Sequence, residues 1–188
     1  MKKLILVVVI ITTTILQNTF AQNKKDIADI KTNTVSKDST ASKDPLNMVL
    51  SAYLALKNAL ANDDAKTASA SAKTMLDKIA KVPMDKMTVD QHNVWMKYQK
   101  KLSYDATHIS EVAELDHDRE HFVTLSKNMY AVEKAFNTNT ETLYYQFCPM
   151  ANDGKGAYWV SEKEKISNPY MGKKMPTCGS IKETLKNK

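Results

Sequence analysis

Residues 45–61 read PLNMVLSAYLALKNALA, with Leu46, Val49, Leu50, Tyr53, Leu54, Leu56 and Leu60 returning at the i, i+3, i+4, i+7 spacing of a helix that buries one face. Pro45 suits the first helical turn, where its missing N–H costs nothing. Outward from this segment, no glycine occurs between Pro45 and Thr140, and within that span proline recurs only at Pro83. Chain punctuation of that kind predicts continuous helix. Asn62-Asp63-Asp64 marks a break and a new N-cap, followed by an alanine-rich helix through Met75, Leu76 and Ile79 to Val82, which Pro83 stops. Thr88 with Gln91 three residues on forms a capping box that opens a third helix carrying Val94, Trp95, Tyr98, Leu102, Ile109 and Val112. A fourth carries Phe122, Leu125, Met129, Val132 and Phe136, and Leu115-Asp116 is either a break or the interior of one longer helix. Short connections favour antiparallel neighbours. The fold class is therefore mainly α: an up-down bundle of about four helices.

After Asn137-Thr138-Asn139-Thr140 the chemistry changes, because all four glycines and three of the five prolines fall beyond residue 147. Leu143-Tyr144-Tyr145-Gln146-Phe147 and Ala157-Tyr158-Trp159-Val160, with Asn152-Asp153-Gly154-Lys155-Gly156 between them, predict a β-hairpin. This hairpin and its loops cap the bundle. Residues 45–180 form the single domain expected, with 138–180 as its Cys/Met-containing tail and 181–188, rich in lysine, as a disordered end.

The N-terminal residues belong to another class. Lys2-Lys3, the apolar run Leu4 to Leu16 and Thr19-Phe20-Ala21 make a secretory signal with cleavage predicted after Ala21. Residues 22–44, rich in Lys, Asp, Ser and Thr, bury too little apolar surface to offset the entropy of ordering and predict a flexible leader. The mature protein is expected to be soluble, without an integral membrane segment, and periplasmic or secreted. The chain holds 27 basic and 21 acidic residues; losing Lys2 and Lys3 leaves 25 against 21, a net charge of +4. Arg119 is the single arginine, and the lysines alternate with acids as on a solvated surface. That pattern gives no clustered Arg/Lys face with interleaved aromatics, so nucleic acid is not an expected partner.

The tail gathers two thiols and two thioethers, in Cys148-Pro149-Met150 and Met175-Pro176-Thr177-Cys178-Gly179. Soft donors select soft cations, Cu(I) first among the common ones. His117 and His121 are i, i+4 and share a helix face, and His121, next to Phe122, is the strongest histidine candidate. His92 and His108 read as surface histidines. A Cys/Cys/His set would also suit zinc, and the methionines tilt the choice to copper. The candidate metal ligands are thus Cys148, Met150, Met175, Cys178 and His121, with His117, Arg119 and Trp159 as supporting residues. Two cysteines in an exported protein equally fit one Cys148–Cys178 disulfide. Arg119 reads as an ion pair to a glutamate or a carbonyl at a helix end. No Gly-x-Ser-x-Gly, phosphate loop or His-Glu-x-x-His is present, and no enzyme is expected.

The string QFCPMA at 146–151, GAYWVS at 156–161, ISNPYMGKKM at 166–175 and Thr177-Cys178-Gly179 resembles an uncharacterised bacterial exported domain family, DUF3347. Asp118-Arg119-Glu120-His121-Phe122 and Leu125-Ser126 are similar to its helical part, and the resemblance spans about 46–180. Val160 and Met171 depart from the leucine and aromatic of the family pattern. That family also occurs fused to periplasmic adaptor subunits of heavy-metal efflux pumps. The resemblance implies copper or related metal handling, with His121, Cys148, Met150, Met175 and Cys178 on the matching positions. Two functions follow as expectations: a periplasmic domain that captures or chaperones Cu(I) for heavy-metal efflux, and an interaction module stapled by the disulfide. Its partner would be an efflux-pump adaptor or another envelope protein.

Overall fold

Local signals set the helix starts in the computed structural model, which describes residues 44–137 and 139–187. Helix α1 spans Pro45–Ala61, with Pro45 in the first turn and the Asp44 carboxylate accepting from Leu46 N at 2.9 Å. Helix α2 spans Ala65–Ile79, capped by Asp64 accepting from Thr67 N at 2.9 Å. Helix α3, Val89–Val112, opens on the expected capping box: Gln91 N donates to Thr88 Oγ1 at 3.3 Å and Thr88 N to Gln91 Oε1 at 3.0 Å. Ala113, in the left-handed region at φ 55°, then reverses the chain, and α4 runs over Leu115–Phe136. Leu115-Asp116 is therefore the start of a new helix.

Each helix packs on its neighbour in chain order, α1 on α2, α2 on α3 and α3 on α4, and α1 also reaches α4. The connections are short, giving the up-down bundle expected. Val49, Tyr53, Leu56, Leu60, Ala72, Met75, Trp95, Leu102, Ile109, Phe122, Leu125, Met129 and Val132 form its core. No helix among the described residues is long and apolar enough to cross a membrane. The expected signal and most of the expected leader, residues 1–43, lie outside the described residues.

The tail is a three-stranded antiparallel sheet: β1 (Leu143–Cys148) in the middle, β2 (Ala157–Ser161) on one side and β3 (Ser180–Leu185) on the other. Tyr145 faces Val160 and Cys148 faces Ala157 across the β1–β2 ladder. Opposite β3, Tyr145 pairs with Glu183 and Gln146 with Ile181, so Lys182 is the extra residue of a bulge. This strand corrects the expectation of a disordered end at 181–188. Its side chains are mostly exposed, so composition alone suggests a frayed tail. What orders it is the backbone ladder to β1, helped by Glu183 accepting from Tyr130 Oη and from Lys134 Nζ at 2.9 Å.

Two buried polar residues join bundle to sheet. Tyr53 stacks on Phe122 at 5.4 Å, bonds Ser126 Oγ and accepts from Val160 N at 3.0 Å, linking α1, α4 and β2. Lys57, fully buried, reaches Glu162 at 2.7 Å and Ser161 Oγ at 3.3 Å. A buried cation without such partners would cost several kcal/mol.

Glu133 on α4 is 1% exposed, and both its carboxylate oxygens lack a hydrogen-bond partner. Burial, reinforced by the charge of Asp44, pushes its pKa up to about 8. The neutral acid is the form the fold tolerates, so stability is full below the ordinary carboxylate range and is lost as pH rises toward 8. Between pH 6 and 8 the loss approaches roughly 1.4 kcal/mol per pH unit. Urea unfolding of Glu133→Gln at both pH values should remove that slope; an unchanged slope would refute the assignment.

Candidate metal centre

The α3–α4 reversal brings three imidazoles together. His108 lies near the end of α3, and His117 and His121 occupy the first turns of α4. Their candidate ligand nitrogens all lie within 4.8 Å of one another, and each ring is half-buried. The His108 and His121 rings stack nearly parallel with centroids 4.4 Å apart, and His117 sits 4.7 Å from His121. Tyr104, one turn before His108, meets it edge-on at 4.6 Å.

Asp105 orients the cluster. It is 4% exposed, and its carboxylate contacts His121 Nδ1 at 3.3 Å while its other oxygen accepts from Thr124 Oγ1 at 2.7 Å. A carboxylate on Nδ1–H fixes the imidazole tautomer and leaves Nε2 as the free donor, the arrangement that metal-ligating histidines use. His117 supplies a second sign: its Nδ1 is buried and has no hydrogen-bond partner. Beneath it Asp118 is fully buried with both oxygens unpartnered, and burial pushes its pKa up to about 6 against the opposing pull of His117 and Arg119. Such groups are costly to leave orphaned. Asp105, Thr124 and Tyr104 also line a groove of about 620 Å³ walled by Lys97, Lys101, Lys127 and Tyr98. Three imidazole nitrogens can hold copper or zinc, and a three-ligand set leaves a coordination position for an exchanging ligand.

The residues expected from the sequence fall in three places. His121 and His117 join this cluster. Cys148 and Cys178 face each other with their sulfurs 2.8 Å apart, Cys148 fully buried at the end of β1 and Cys178 half-buried just before β3. Among the described residues no group of three His, Cys, Asp or Glu ligands includes either cysteine. Met150 is 54% exposed and lines a cavity of about 1010 Å³ with Asp63, Arg119, Lys174 and Tyr170. Met175 follows a short 3-10 turn, Gly172–Lys174, and its carbonyl accepts from Cys178 N at 3.3 Å. Trp159 is buried and packs under Gly179, beside Cys178.

Sequence reasoning missed His108, Asp105 and Tyr104. His108 is corrected from surface residue to member of the cluster. The usable signal was a count: His108 stands five residues before the Ala113 reversal and His117 four after it.

Arg119 is structural. Its Nη2 donates to Asp63 Oδ1 at 2.5 Å and to the Leu60 carbonyl at 3.0 Å, while Nε donates to the Pro169 carbonyl at 2.9 Å. The partners are a helix-end carbonyl, as expected, and an aspartate where a glutamate was expected. The guanidinium holds the Asp63 carboxyl below its usual range.

Residues 49–141, most of the helical part of the chain, match the family described as "Protein of unknown function (DUF3347)". The match includes the three histidines and Arg119 and ends before the first cysteine. No curated protein and no solved structure matches the chain.

Lysine at position 119 cannot reproduce the forked contacts. Arg119→Lys should lower stability by roughly 2 kcal/mol in urea unfolding; wild-type stability would show the three contacts to be dispensable.

Proposed function

We propose that this protein is an exported metal-binding protein that captures a copper or zinc ion on His108, His117 and His121. The observation that carries the reading is the convergence of three imidazole nitrogens within 4.8 Å, from two helices, with Asp105 set behind one of them. Imidazole suits both ions. The site is built on helices locked by a packed core, which favours a preorganised ligand set. The role is binding and release, with no turnover: the open position admits a ligand supplied by whatever delivers or receives the ion. An export-type N-terminus supports a place in the cell envelope, where the protein would buffer metal or pass it to an efflux system.

The two thiols are brought face to face but lie outside the triad. Copper would be held by nitrogen at the triad. Zn(II) and Cu(I) are therefore both tested, each titrated into the reduced full chain against a chromophoric competitor. The expected result is one ion per chain, an affinity loss of roughly hundredfold or more in His117→Ala and His108→Ala, and about 10- to 100-fold in Asp105→Asn. Cys148→Ser with Cys178→Ser should leave that affinity within a few fold. If the double cysteine variant abolishes binding while the histidine variants bind normally, the triad reading fails.

A further inference from the structure

We propose that Cys148 and Cys178 are a thiol pair that closes to a disulfide through Cys178, with Cys148 as the resolving thiol, and that closure locks residues 166–179 and β3 onto the middle strand. The pair is separate from the histidine triad, so this proposal stands whether or not the triad binds metal.

Geometry assigns the roles. The sulfurs are 2.8 Å apart, near enough to bond after a small adjustment. Cys148 is fully buried within the core cluster, whereas Cys178 is half-buried in the loop that leads to β3. An oxidant arriving from solvent meets Cys178 first. Sharing a hydrogen bond with Cys148 keeps the Cys178 thiol protonated above its usual range, so attack speeds up as pH rises.

The chemistry needs a small or protein disulfide, RSSR, as oxidant. The Cys178 thiol loses its proton to solvent and its thiolate attacks one sulfur of RSSR, forming Cys178–S–SR and expelling RS⁻. The Cys148 thiol then loses its proton, and its sulfur attacks Cys178 Sγ, forming the Cys148–Cys178 bond and expelling the second RS⁻. Two electrons pass to RSSR, which leaves as two RSH.

What the bond would lock is already laid against the domain. Asn168 Nδ2 donates to the Cys178 carbonyl at 2.7 Å, and Asn168 N to the Pro176 carbonyl at 3.0 Å. Tyr170 Oη donates to the Tyr158 carbonyl at 2.6 Å, and Lys173 N to Asp63 Oδ2 at 3.0 Å. Gly179, at φ 146°, lets the chain lie flush: a Cβ there would come within 2.9 Å of both the Phe147 carbonyl and the Trp159 ring. One end of the strap is thus held by Asp63 and Arg119 on the bundle. The thiol pair holds the other.

The test uses the reduced full chain in EDTA with oxidised glutathione as the probe, followed by intact mass. The wild type should lose two hydrogens and carry no adduct. Cys148→Ser should trap one glutathione on residue 178, and Cys178→Ser should react at least tenfold more slowly. Because a serine at the buried position can impair folding, early-time alkylation of the wild type is read as well, with Cys178 labelled at least tenfold faster than Cys148. Oxidation should raise the thermal midpoint by roughly 5–10 °C, given a closed loop of about 30 residues, and slow hydrogen exchange in β3. Stable adducts on both cysteines, equal labelling, or an unchanged midpoint after closure would overturn the proposal.

Discussion

A two-residue reversal at Ala113 and Glu114 is the constraint on which the site depends. Ala113 sits in the left-handed region and Glu114 is extended, so α3 stops and α4 starts with no glycine to ease the turn. The strain is of order 1 kcal/mol for a residue with a Cβ. It is offset by the apolar seam it permits, with Leu102, Ala106 and Ile109 of α3 and Phe122, Leu125 and Met129 of α4 all fully buried. Had the helix continued, nine residues at 1.5 Å each would set His108 about 14 Å from His117. Folding back puts them in one cluster instead. Asp105 then adds a contact that only the folded hairpin provides, touching His121 and Thr124 across the seam.

The molecule keeps its two chemistries apart. The imidazoles belong to the α3–α4 hairpin, and the thiols belong to the sheet that covers α4. Joining the parts is a small number of polar contacts with little tolerance for loss: Tyr53 between α1, Ser126 and β2; Lys57 against Glu162; and Arg119 between the α1 end and the Pro169 carbonyl. Tyr53 and Lys57 are fully buried and Arg119 is largely so, and losing a partner there would leave a polar group poorly satisfied. That economy explains why the tail, poor in regular structure, still has a defined seat on the bundle.

Much of the fold was legible because it is local. The capping box at Thr88 and Gln91, the caps at Asp44 and Asp64 and the apolar spacing of α1 are decided by residues within one or two turns of each other. The β1–β2 pairing was legible for the same reason, since two aromatic runs flank a Gly-containing turn. Strand β3 was not, because its order comes from a ladder to residues about 40 positions earlier and its own side chains look solvated. The site divided along the same line. His117 and His121 announce themselves by spacing on one helix, whereas His108 contributes only through tertiary contact. The donors at Cys148, Met150, Met175 and Cys178 are neighbours in sequence motif, and the fold brings the two cysteine sulfurs face to face.

The most direct measurement of the central claim is anomalous diffraction from crystals of the reduced protein grown with zinc or copper, recorded on both sides of the metal absorption edge. The account predicts one strong peak about 2.0–2.1 Å from a ring nitrogen of each of His108, His117 and His121, with Asp105 still on His121 Nδ1. A peak between Cys148 and Cys178 with the imidazoles vacant, or no ordered ion at saturating metal, would contradict it.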